Sequence, residues 1–206
     1  MGYINIDKLS AARLESDPFD YVVIPEFLGS ETIRKINDTY PKIVQGGSYP
    51  IESLSTGMLI KNVIDELNDE PFAKAIGEKF NVDLAGKPKL FSLRGWLRAK
   101  DGQIHTDSKD KIITVLLYLN DGWAPQGGRL RLLRDGKNLE NFTVEVPPDN
   151  GTLLAFRRSD HSWHGHYPYE GQRRTLQMNW MVSENKAGLH AFRHKVSAAV
   201  KGLSSN

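Results

Sequence analysis

Residues 102–111 read GQIHTDSKDK and place an imidazole and a carboxylate, His105 and Asp107, two positions apart. In an extended chain, side chains at i and i+2 share a face. The pair then offers two ligands to a divalent metal. Of the remaining histidines, His161, His164 and His166 cluster in SDHSWHGHY. Two histidines and one carboxylate that leave coordination positions open form the donor set of non-haem Fe(II) sites that handle dioxygen. Taken alone, the histidine and aspartate fit a solvated polar turn better than a metal site.

Bulk composition narrows the chemistry. The chain has no cysteine, which excludes disulfides, thiolate nucleophiles, iron–sulfur ligation and cysteine zinc sites. Its 27 basic and 25 acidic residues leave a net charge of +2, so charge makes no case for nucleic acid or a membrane surface as partner. The opening MGYINIDKLSAARLESDPFD lacks the apolar core of a signal peptide, and no stretch approaches the length of a membrane span. Ile6 stands where a myristoylation signal wants Ser or Thr. The expectation is a cytoplasmic protein with no nucleic-acid and no membrane partner.

The elements that must hold the candidate ligands follow from local patterning. YVVIPEFL (21–28) reads as a strand entering a turn, and Ser30 is a plausible N-cap for the helix that follows. MLIKNVIDELND and PFAKAIGEKFNV show helical spacing of apolar residues. From Leu90 onward the texture is short β-rich runs broken by Gly-rich turns: LFSLRGWLRA, KIITVLLYLN, GRLRLLR, FTVEVPP, GTLLAFRRS, SWHGHYP and RRTLQMNWMV. Such spacing predicts a β-sandwich or barrel. The expected organisation is a single α+β domain over 1–206, with a mixed, mainly helical support over 1–88, a β core over 89–184 and a terminal helix over 185–206.

Between about Leu93 and Val182, an ordered series of segments resembles the 2-oxoglutarate- and Fe(II)-dependent dioxygenases, in their prolyl-4-hydroxylase-like branch. The series is IHTD, TVLLYLNDGW, GGRLRLL, PPDNGTLLAF, SWHGH and RRTLQMNW. The front end, FDYVVIPEFLGSETI, is similar to that family's entry as well. The resemblance implies a double-stranded β-helix, a jelly roll with the metal inside and the N-terminal helices packed on one sheet.

Carried onto this chain, the resemblance makes His105, Asp107 and His164 the iron ligands. His164 is preferred to His161 and His166 because the family pattern is a histidine followed by glycine. The cosubstrate's far carboxylate needs a cation, and the strand after the distal histidine supplies Arg173 and Arg174. Strand alternation lets one of them point inward. Counting back six from Trp180 favours Arg174, with Leu176, Met178 and Trp180 facing inward beside it. The other register, Arg173 with Thr175, Gln177 and Asn179, resembles the R-x-S/T pattern of other branches. Tyr118 is similar to the tyrosine that hydrogen-bonds the same carboxylate. Arg94 and Arg98 share a strand face near the expected mouth and fit either an acidic or polar substrate or ordinary surface charge.

The function so implied is hydroxylation of a C–H bond in a peptidyl or small-molecule substrate. It uses Fe(II), 2-oxoglutarate and dioxygen, and releases succinate and CO2. The alternative is a cupin-like jelly roll that binds a metal or sugar without turnover; it has no need of an inward arginine after the distal histidine.

Overall fold

The structure, a computed structural model, describes residues 2–185. All but the first residue of the expected terminal helix, 185–206, lies outside them. Along the chain run α1 (Ile6–Ala11), β1 (Tyr21–Ile24), α2 (Ser30–Asp38), the two-residue β2 (Tyr49–Pro50), α3 (Met58–Asn68) and α4 (Glu70–Phe80). The β-rich half follows: β3 (Lys89–Leu97), β4 (Lys111–Tyr118), β5 (Leu130–Leu133), β6 (Phe142–Val146), β7 (Leu153–Arg157), β8 (His164–Gly165) and β9 (Gly171–Met181).

Local chemistry explains the helix ends. Asn5 caps α1, its side-chain oxygen accepting from Lys8 N at 2.9 Å, which satisfies one of the N–H groups a helix start leaves free. Gly29, rather than Ser30, is the N-cap of α2, without a side-chain bond; Ser30 is the first helical residue. Asn81 takes the left-handed conformation (φ 47°) that closes α4.

Two sheets form, a six-stranded one in the order β1-β7-β4-β9-β3-β2 and a three-stranded one in the order β6-β5-β8. All the pairings are antiparallel. Because strand side chains alternate, the large sheet has two distinct faces, and both are covered. One carries Ile113, Val115 and Leu117 of β4, Leu153 and Ala155 of β7, and Leu176, Met178 and Trp180 of β9. These join Ile60, Val63, Leu67, Phe72 and Ile76 of α3 and α4 in one core. Phe72 stacks on Trp180 with centroids 6.0 Å apart.

The other face looks across at the small sheet. There Tyr118, Leu154 and Phe156 meet Leu130, Leu132 and Val146 in a second, smaller cluster. The space between the sheets beyond this cluster stays open. Outside the small sheet, Arg131 turns to Glu145 (2.6 Å) and Glu140 (2.5 Å), the outward face expected of a half-buried strand. Among the described residues no helix is long and apolar enough to cross a membrane.

Candidate metal centre and cosubstrate seat

Between the sheets lies a cavity of about 460 Å³ lined by His105, Asp107, His164, Arg94, Arg173 and Thr175, among others. His105 and Asp107 do not sit on a regular strand; they occupy the irregular link between β3 and β4. What fixes them is a single antiparallel bridge. His105 N donates to His164 O at 3.0 Å and His164 N donates to His105 O at 2.9 Å. This exchange sets the two imidazoles 4.3 Å apart, centroid to centroid. One ligand atom from each of His105, Asp107 and His164 lies within 4.8 Å of the others.

Each histidine is also held by its far nitrogen. His105 Nδ1 is 2.8 Å from Gln103 O and His164 Nδ1 is 2.9 Å from Ser162 O. A carbonyl can only accept, so each Nδ1 carries the proton and each Nε2 keeps its lone pair for a metal. Burial, the largest influence on His164, pushes its pKa down to about 4, so the ring is neutral and ligand-ready near pH 7.

Asp107 is held at both oxygens, Oδ1 accepting from Lys111 Nζ at 2.8 Å and Oδ2 from Thr114 Oγ1 at 2.5 Å. Burial alone would raise its pKa. The Lys111 ammonium, together with His164 and the two donors, outweighs it, and the carboxyl is held below its ordinary value. Each oxygen still has a lone pair to offer a cation. The donor set therefore fits a divalent ion.

His166 and His161 separate clearly from this cluster. His161 is exposed in the loop before β8. His166 is buried and lines the same cavity, its Nδ1 2.8 Å from Tyr167 O. Neither belongs to the three-residue cluster.

The arginine pair resolves in the direction opposite to the one favoured by counting back from Trp180. Arg173, Thr175, Gln177 and Asn179 line the cavity. Arg174 lies on the outer side, over the Tyr40 ring (5.2 Å) and in a separate hollow with Ile43 and Trp96. The physical reason is the helical layer. It claims the apolar face of β9, so Leu176, Met178 and Trp180 turn away from the cavity and take Arg174 with them.

Arg173 is almost wholly buried. Its Nε donates to Gly128 O at 2.8 Å and its Nη1 lies 3.3 Å from Thr175 Oγ1. Its guanidinium sits over the Tyr118 ring at 5.0 Å. The Tyr118 hydroxyl is buried and makes no hydrogen bond, and burial raises its pKa. A buried cation beside an unsatisfied hydroxyl is a seat that a carboxylate would complete.

Two contributors escaped the sequence, Lys111 and Thr114, which grip Asp107. Asn179, inward in the alternative register of β9, has its Oδ1 3.0 Å from Thr114 Oγ1. The period-2 register of β4, which points Thr114 and Leu116 opposite to Ile113 and Val115, is the signal that could have found Thr114.

The sequence model of the 2OG-Fe(II) oxygenase superfamily matches residues 95–182. No protein of curated function matches the chain. Among solved structures it is similar to a prolyl-4-hydroxylase from Pseudomonas putida (17% identity, 85% of this chain and 92% of that one, TM-score 0.53). It is also similar to a viral collagen prolyl hydroxylase from Paramecium Bursaria Chlorella virus-1 (13%, 82% and 99%, TM-score 0.55). A third is a prolyl hydroxylase from Trichoplax adhaerens, solved with a hypoxia inducible factor oxygen degradation domain peptide fragment (17%, 89% and 90%, TM-score 0.50). At these identities the shared property is the fold, a double-stranded β-helix with helices on one sheet. The residues that the superfamily model matches are those of the β-rich half, which carries the His–Asp–His cluster and the inward arginine.

Proposed function

We propose that His105, Asp107 and His164 hold Fe(II), and that Arg173, Thr175 and Tyr118 seat the far carboxylate of 2-oxoglutarate. The substrate is a peptidyl or small-molecule compound hydroxylated at a C–H bond. The observation that carries this reading is the sharing of one cavity by the three converging ligand atoms and Arg173. Iron, when bound, supplies the redox chemistry that couples dioxygen to decarboxylation of the 2-oxo acid, releasing succinate and CO2.

The chain's own residues orient and enclose. Gln103 O and Ser162 O aim the two imidazoles, while Lys111 and Thr114 hold the carboxylate in its ionised form. Arg173 fixes the 2-oxo acid by its distant end, which leaves the chelating end one orientation. Leu116, Leu130 and Phe156 line the cavity with apolar surface that keeps water from the reacting centre. No acid or base from the protein is required.

A peptidyl substrate is in keeping with the Trichoplax relative, whose structure holds a peptide fragment. The lining residues Ser48, Pro50, Leu90 and Phe91 give a small molecule or one extended residue comparable polar and apolar contacts. Residues 1–88 and 89–184 are proposed to act as one domain, because a single core runs through both. We place the protein in the cytoplasm, which suits a chain without cysteine.

The test is anaerobic addition of Fe(II) and 2-oxoglutarate. The expected result is a weak charge-transfer band at about 500 nm, absent from a His164→Ala protein, followed by succinate release in air. Metal binding without the band or succinate would favour the cupin-like alternative.

A further inference from the structure

Arg94 lines the same cavity, yet neither the metal ligands nor the three groups proposed to seat 2-oxoglutarate give it a task. A role for Arg94 rests on that seat. Cross-strand pairing places it opposite Thr175 on β9, and Thr175 is opposite Tyr118 on β4. Residues in register on one face lie about 5 Å apart. Arg94, Thr175 and Tyr118 thus form one row across three strands, with Arg173 one diagonal step away over the Tyr118 ring.

Local structure aims Arg94 at this row. The β3–β9 register shifts between Arg94 and Trp96, a bulge of the kind that redirects side chains. At Gly95 an added Cβ would stand 2.6 Å from Ile43 Cβ, so only glycine lets the segment before β2 close over the bulge. Tyr40 pins the main chain, its hydroxyl donating to Arg94 O at 2.8 Å.

Electrostatically Arg94 is unfinished. Its Nε is buried without a hydrogen bond. The nearby carboxylate of Asp101 is engaged by Arg98 at 2.7 Å. Burial and, next, the charge of Arg173 hold the Arg94 pKa below its ordinary value. Two guanidinium groups facing one small space are costly without an anion between them. A ligand without a carboxylate there would leave both guanidinium groups facing the same space with no anion between them.

We propose that Arg94 is a second cationic arm of the cosubstrate seat, which makes the site selective for 2-oxo acids that carry a second carboxylate. Four groups, Arg94, Arg173, Thr175 and Tyr118, surround that carboxylate. Succinate keeps the same carboxylate after turnover, so its affinity depends on the same pair of arginines. Arg94 is a specificity-determining residue that does not touch the substrate's C–H bond.

The experiment measures binding to Mn(II)-loaded protein by calorimetry, with 2-oxoglutarate, succinate and 2-oxopentanoate. The last has the same chelating end and length but a methyl group in place of the distal carboxylate. Arg94→Gln is expected to weaken 2-oxoglutarate about 10- to 100-fold, the worth of a charged hydrogen bond, and succinate in parallel. It should leave 2-oxopentanoate within about twofold of wild type, which also shows that the variant is folded. Arg94→Lys should restore part of the loss. Unchanged 2-oxoglutarate binding, or equal losses for both 2-oxo acids, would overturn the proposal. Wild-type protein that loads Mn(II) but takes neither 2-oxo acid would overturn the cosubstrate reading itself, and this inference with it.

Discussion

The hydroxyl of Thr114 donates to Asp107 Oδ2 at 2.5 Å from the cavity face of β4. Lys111 Nζ holds the other oxygen at 2.8 Å, so the carboxylate cannot rotate without losing a donor. Removing such a supporting hydrogen bond typically costs about 10- to 100-fold in metal affinity. Thr114→Val is expected to weaken Mn(II) or Fe(II) binding by about tenfold, while Thr114→Ser stays near wild type. Metal titration of the three proteins measures this. Equal affinity for all three would mean that Lys111 alone orients Asp107.

Arg173 and Arg174 are adjacent in sequence and face opposite sides of the large sheet. Arg173→Ala removes the buried guanidinium over Tyr118 and leaves Gly128 O without its donor. It should weaken 2-oxoglutarate binding by about 100-fold or more, by loss of a charge-assisted pair. Arg174 faces Tyr40 outside the cavity, so Arg174→Ala should keep cosubstrate affinity within about threefold. Calorimetry on Mn(II)-loaded protein distinguishes the two, and the opposite order of effects would restore Arg174 as the anchor.

The strands and their sandwich-like arrangement were legible because they rest on local patterning, alternation in KIITVLLY and turn glycines between runs. The jelly roll and the pairing of His164 with His105 and Asp107 came only from the family resemblance and its HG step. The facing of β9 was not. Its residues alternate between an apolar set and a polar set, and both sets are buried: Leu176 and Trp180, and also Arg173 and Thr175. Alternation shows that two faces exist, and only the location of the helical layer says which one looks into the cavity. Counting back six from Trp180 selected Arg174 and turned the apolar set toward the cavity with it. The grip of Lys111 on Asp107 was hidden for a related reason. It depends on the turn at 108–110, where Lys111 N donates to Ser108 O at 3.0 Å and brings the ammonium back over the carboxylate.

Acid should weaken the metal-free protein through two histidines. Burial pushes His164 and His166 each down to about 4, with Arg173 adding to the effect on His166. Unfolded histidine titrates near its ordinary value of about 6.5. Between these values the unfolded chain binds more protons, so stability falls as pH drops from about 6.5 toward 4. Asp107 acts differently. Its pKa is lowered, so its contribution persists above the ordinary carboxylate value and adds no slope in this window. The expected slope approaches about 1.4 kcal/mol per pH unit for each histidine. Denaturant midpoints between pH 5 and 7 measure it, and His166→Gln should remove roughly half. A flat profile would show that both rings titrate in the folded protein as they do in the unfolded chain.

Trp180 ties the cavity-bearing strand to the helical layer. Its ring is fully buried and stacks on Phe72 of α4 at an interplanar angle of 18°. Alternate residues of the same strand, Asn179 and Met181, line the cavity, so what fixes Trp180 also fixes the cavity wall. Truncation to alanine removes a large apolar surface and leaves a void the helices cannot fully close. Trp180→Ala should cost about 3–5 kcal/mol. Trp180→Phe keeps an aromatic face for Phe72 and deletes an indole N–H that is buried without a partner, which offsets part of the lost volume. The phenylalanine variant should therefore retain most of the stability and the 2-oxoglutarate affinity. Urea unfolding and cosubstrate titration of both variants test this. If Trp180→Phe proves as damaging as Trp180→Ala, the indole N–H has a partner and the stacking account is wrong.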